Sequence, residues 1–260
     1  ANGVALSEAY NITPVLSGSG IMVAANVLVA LLDAQNSAYI QDVAITGAAV
    51  TVHATLNNGD NQGAKAKLGN SVQGSTSITL LGVGANVAVA LDRAVNHAYL
   101  DCVALTDGKT VSIQADGKSY AVVTVDEATV DINLVSIGVN VTVARADGDF
   151  RAYILTGEGQ TVRAVLVTVE NNYESYAYAE SRQPAVGVGA ATVDTNVAYA
   201  DAGTLAYGYI GGNGSVIAIN DLQVAVDGLA ESIAQVLGTQ VTVAGATVAA
   251  NVATAIVSAD

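Results

Sequence analysis

Asn86-Val87-Ala88-Val89-Ala90 decides how this chain is read, because the same string returns four more times. The other copies are Asn26-Val27-Leu28-Val29-Ala30, Asn140-Val141-Thr142-Val143-Ala144, Asn196-Val197-Ala198-Tyr199-Ala200 and Asn251-Val252-Ala253-Thr254-Ala255. Successive asparagines lie 60, 54, 56 and 55 residues apart. A tyrosine follows each of the first four at 13 residues, as Tyr39, Tyr99, Tyr153 and Tyr209, and Ile or Leu comes next. Recurrence at a nearly fixed period marks one supersecondary unit used repeatedly.

Within each copy the valines alternate with other residues, and period two is the signature of a strand. The alternation places the valines on one face and small residues, chiefly alanine, on the other. Both faces are apolar, so the strand is expected to be covered or closely packed on both sides. Asp33, Asp92, Asp147 and Asp201 follow the first four strings at five to seven residues and predict an acidic turn before the tyrosine strand. The second half of each unit echoes the first: Val111-Ser112-Ile113-Gln114-Ala115 leads to Tyr120, and Val165-Leu166-Val167-Thr168-Val169 leads to Tyr176-Ala177-Tyr178. In the first unit Val50-Thr51-Val52-His53-Ala54 plays this part, and Asn57–Gly63 reads as a polar loop that lengthens the spacing to 60.

The expected fold is therefore all-β: a repetitive, parallel β-helix-like β-solenoid over residues 1–260 as a single elongated array. Two similar halves suggest about two coils per ~55-residue repeat, or nine to ten coils in a rod about 45 Å long. Tandem antiparallel β-sandwiches are the alternative, because a short turn fits a hairpin as well as an arc. One stretch departs from the pattern. Leu229, Ile233, Val236 and Leu237 share a helical face and Gly238 follows, which predicts a short helical insertion over 229–237.

Composition narrows the function classes. Hydrophobic residues make up 52 % of the chain, with 26 Gly, 2 Pro, no Trp and one Phe, which suits many strands rich in Val and Ala. Nine basic residues face 23 acidic ones, a net charge of −14, which argues against nucleic acid and anionic lipid as partners. The single cysteine, Cys102, allows no internal disulfide and reads as a small buried hydrophobe. The chain opens without a basic, apolar leader and without an initiator Met, as a mature or excised fragment would. Nineteen uncharged residues, Val241–Ala259, have the length of a membrane span. Thr242, Gly245, Thr247, Asn251, Thr254 and Ser258, with the fifth repeat string inside, favour a strand instead, so no membrane insertion is expected.

No catalytic, cofactor-binding or metal-binding residues emerge. His97 lies near Asp92 and Asp101 in sequence, but its slot before the repeat tyrosine holds Ser37, Arg151 and Tyr207 in the other copies. His53 has no second histidine nearby, and a zinc site needs three or four ligands. Asp126, Glu127 and Asp131 are the densest acidic group but read as a solvated turn, and Asp147-Gly148-Asp149 lacks the rest of a calcium loop. Gly82-Val83-Gly84 and Gly187-Val188-Gly189 lack the Lys-Ser/Thr pair of a phosphate loop. The tyrosine column is expected either as internal stacking or as a stripe that contacts a sugar or protein.

Val83–Ala90, with Ala98-Tyr99-Leu100, Val103–Thr106 and Val111–Ala115, resembles the repeats of large bacterial surface and secreted proteins. These include leukotoxin-like and filamentous-haemagglutinin-like adhesins and autotransporter passengers. The resemblance covers most of residues 15 to 200 and is weaker toward both ends. It implies a β-solenoid outside the cell, serving as an adhesive segment or stalk without enzymatic activity. Partners would be a host-cell or other surface ligand, or a second copy through the solenoid ends. A self-assembling filament and a carbohydrate-active β-helix enzyme are the alternatives.

Overall fold

In the computed structural model, which describes residues 4–10, 20–57, 59, 62–74 and 79–259, the described residues form nine strands and every pairing between them is parallel. They are β1 (Val4–Tyr10), β2 (Ile21–Gln41), β3 (Ala44–Thr46), β4 (Val50–Leu56) and β5 (Gly63–Gly74), then β6 (Thr79–Asp101), β7 (Ala104–Thr156), β8 (Thr161–Gly212) and β9 (Ser215–Ala259). The β-solenoid expectation holds, and the antiparallel sandwich falls because no described pair is antiparallel.

Register gives the length of a coil. Asn26 sits beside Asn86, Asn86 beside Asn140, Asn140 beside Asn196 and Asn196 beside Asn251. One coil therefore takes a whole repeat, not half of one. Five rungs at about 4.8 Å put only about 20 Å between the first and last asparagine, roughly half the expected rod length. The half-repeat echo has a different meaning: it is the second wall of the same coil.

Each coil is a flattened loop with two walls. The first carries residues 21–41 and their stacked equivalents, and the second carries 50–56 and 63–68 with theirs. Leu28, Ala30, Ala88, Ala90, Ala144 and Ala200 on the first wall meet Ala66, Leu68, Val123 and Val125 on the second in one cluster. Leu100 and Ile154 meet Val52, Ile113 and Val169 in another, closed at the corner by Val103 and Leu105. Asp42 and Cys102 turn the chain there on two successive rungs, both in the left-handed region at φ 52°. Cys102 is thus a corner residue of intermediate exposure rather than a buried hydrophobe.

The string itself packs differently from a valine core. Asn86, Ala88 and Ala90 point inward and are buried, whereas Val87 and Val89 face outward. Alternation names two faces but not which one is inside, and a narrow gap between two walls favours the smaller side chains. The asparagines form a ladder, each Nδ2 donating to the next Oδ1 at 2.8, 2.8, 3.0 and 3.0 Å. A buried amide is satisfied this way only when its neighbours on both rungs are also amides.

Two further expectations are corrected. The strand runs unbroken through Asp33, Asp92, Asp147 and Asp201, so none is in a turn. Nor do they stack: Asp33 lies beside Arg93, and Asp92 lies between Leu32 and Ala146. Stacked like charges at strand spacing would repel. The helical insertion at 229–237 is strand within β9, paired from Glu174↔Leu229 to Arg182↔Leu237, because tertiary pairing overrides a helical periodicity this short. Val241–Ala259 is strand as well, and no described helix is long and apolar enough to cross a membrane. Asn58, Asp60 and Asn61 of the expected polar loop lie outside the described residues.

Candidate functional site

Because the inward face is filled by alanine, valine and the asparagine ladder, chemistry is carried by the outward residues. Tyr39, Tyr99, Tyr153 and Tyr209 stand outside and stack with centroids 5.1, 4.8 and 5.0 Å apart. In-register parallel pairing delivers identical side chains at strand spacing, which is the offset that aromatic rings accept. Burial, reinforced by the neighbouring rings of Tyr99 and Tyr209, pushes the Tyr153 hydroxyl up to about 12, so it stays a protonated donor. Tyr120 and Tyr176 form a second stack on the other wall, 4.9 Å apart.

Toward the asparagine ladder, the outward series on the same strand becomes charged. Arg151 donates to Asp149 at 2.6 and 2.8 Å and covers the ring of Tyr207 at 5.8 Å. Arg145 donates to Asp147 at 2.9 Å and lies 3.8 Å from Asp201. Arg93 is exposed and makes no ion pair among the described residues. Three of the five arginines thus collect on one strip of an otherwise acidic molecule. Between them a groove of about 390 Å³ opens, bounded by Arg93, Arg145, Asp147, Asp149 and Leu205. Gly203 lines it too, and a β-carbon there would meet the Asp147 Oδ1 at 3.0 Å, closer than ordinary contact.

A second groove, of about 400 Å³, lies over Asp116, Lys118, Asn172 and Glu174. These four polar groups are already engaged. His53 Nε2 is 2.6 Å from Asp116, Asn172 donates to Asp116 at 2.8 Å, and Lys118 pairs with Glu174 at 2.6 Å. Burial alone would raise the Asp116 carboxyl, but hydrogen bonds from Asn172, His53 and Gln114 outweigh it and hold the group below its ordinary value.

The residues weighed from sequence fall apart in space. His97 lies 3.4 Å from Asp149, without hydrogen-bonding geometry, and is not paired with Asp92 or Asp101. Asp92 points inward, where burial pushes its carboxyl up to about 7 although the Tyr120 N–H donates to it at 2.6 Å. The Cys102 thiol is pushed up, first by its hydrogen bond with Asp101. Asp126 lies 3.8 Å from Arg182, and the side chains of Glu127 and Asp131 lie outside the described residues. Among the described residues no three His, Cys, Asp or Glu groups are arranged to hold a metal ion. The arginine strip escaped the sequence reading because Arg93, Arg145 and Arg151 sit at different repeat positions and converge only through stacking. No family model, curated protein or solved structure matches this chain.

Proposed function

We propose that the chain is a non-enzymatic adhesive and structural segment of a bacterial cell-surface or secreted protein. The observation that carries this reading is the division of labour between faces. The interior is spent on an amide ladder and stacked alanine and valine layers, while the exterior displays an ordered column of tyrosines at strand spacing beside a strip of arginines and aspartates. A stiff stack of this kind supplies geometry rather than chemistry. The one described carboxylate pushed up to about 7, Asp92, is sealed between the walls, where it supports no carbohydrate-active enzyme. The test is adhesion. Fluorescent beads coated with the protein are expected to bind cells or matrix-coated surfaces above beads carrying a control protein of equal net charge. Equal binding by the two beads removes the reading.

A specific observation also supports self-assembly into a filament. Leu222, Val224 and Val257 stack on Val167, Val169 and Ala202, which are fully buried, yet remain 50, 45 and 52 % exposed on the last described rung. An edge of this kind pairs with a further strand, either the next coil of a longer chain or a second copy, and the filament reading takes the second copy. Sedimentation velocity across a concentration series separates the two readings: a filament subunit gains mass with concentration, whereas an adhesive segment keeps one mass.

A further inference from the structure

Resting on the adhesive reading, we infer that the groove between Arg93, Arg145 and Leu205 is a binding subsite for a sugar residue bearing a single carboxylate. The groove has the chemistry of both halves of such a ligand. Arg93 is a guanidinium with no ion pair among the described residues, whereas its neighbours on the strip, Arg145 and Arg151, each pair with an aspartate. A carboxylate presents two oxygens to that planar fork, the geometry for which arginine is suited. Asp147 and Asp149 flank it as acceptors for hydroxyl groups, and Arg145, shared between Asp147 and Asp201, supplies a further donor. Leu205 offers an apolar contact for the C–H face of a sugar ring.

Space is provided by what is missing. Gly203 stacks between Asp147 and Ser258 with no side chain, although its backbone conformation needs no glycine. A volume of about 390 Å³ accommodates one or two sugar residues and falls at the small end of ligand sites. The alternation of cations and carboxylates selects against a polyanion, which Asp147, Asp149 and Asp201 would repel. A polyol with one negative charge uses every group.

The probe is a glucuronyl-galactose disaccharide, titrated calorimetrically against its neutral glucosyl-galactose counterpart and against a glutamyl dipeptide. The glucuronyl sugar is expected to bind and the other two not. Arg93→Ala is expected to weaken binding at least tenfold, whereas Arg163→Ala, an exposed charge outside the groove, leaves it unchanged. Gly203→Leu, checked for folding by circular dichroism, is expected to abolish binding by filling the groove. No binding to the glucuronyl sugar, equal binding of the neutral sugar or the dipeptide, or full binding by folded Arg93→Ala would each overturn the subsite. Bead adhesion that survives such a result leaves the adhesive reading standing. Loss of adhesion by the parent protein overturns that reading separately.

Discussion

Phe150, the one phenylalanine of the chain, occupies a slot that holds Asn36 and Asn96 on the two rungs before it. Asn96 reaches across the core and donates to the carbonyls of Ala54 and Asp116 on the second wall. On the next rung Phe150 cannot do this, and Asn171 of the opposite wall donates to the Phe150 carbonyl instead, at 2.6 Å. The ring fits because Gly117 and Gly148 leave room; a methyl at either position would overlap it. Gly117→Ala is therefore expected to cost about 1–3 kcal/mol through overpacking, and Phe150→Ala about 3–5 kcal/mol through the cavity, both read from urea denaturation. Asp92 gives a pH signature. Its carboxyl is held up at about 7 by burial, so the folded state binds the proton more tightly than the unfolded chain. The contribution to stability is full below about pH 4 and lost as pH rises to about 7, amounting to at most about 4 kcal/mol. Asp92→Asn is expected to flatten the stability profile over that window. A profile with the same slope in the variant would assign the dependence to other groups.

At the scale of the element, the in-register ladder makes a residue's value depend on its rung. Asn140 is buried, accepts from Asn86 and donates to Asn196. Asn140→Ala strands one donor and one acceptor in the core, at about 1–3 kcal/mol each. Asn251 accepts a single bond on an exposed rung, so Asn251→Ala is expected to cost well under half as much in the same denaturation series. Equal losses at the two sites would mean that the ladder contributes nothing beyond side-chain packing. The tyrosine strip was legible in the fixed spacing of 13 residues, but its outward orientation was not. Strand alternation relates Tyr99 to its neighbours Ala98 and Leu100 without saying which pair is buried.

For the whole molecule, the decisive quantity is the length of the coil. Deleting residues 140–195 removes one complete rung, because Asn140 and Asn196 are separated by one stacking interval of 56 residues. That variant is expected to fold with the same strand spectrum and a cooperative, lower-temperature melt. Deleting 140–167 removes half a coil and would place the first wall over the second, so it is expected not to fold. If only the half-coil deletion folds, two coils per repeat would be restored.

Strand content, the repeat interval and the columns in which residues stack follow from alternation and spacing within the chain, since identical strings in parallel strands settle in register. The number of coils per repeat, the inward face and the arginine strip follow only once two walls close on each other. Local pattern is degenerate between two apolar faces and between a second coil and a second wall. The width of the core lifts that degeneracy, admitting the alanines and asparagines of the repeat string and turning its valines, with the tyrosines and arginines, to the outside.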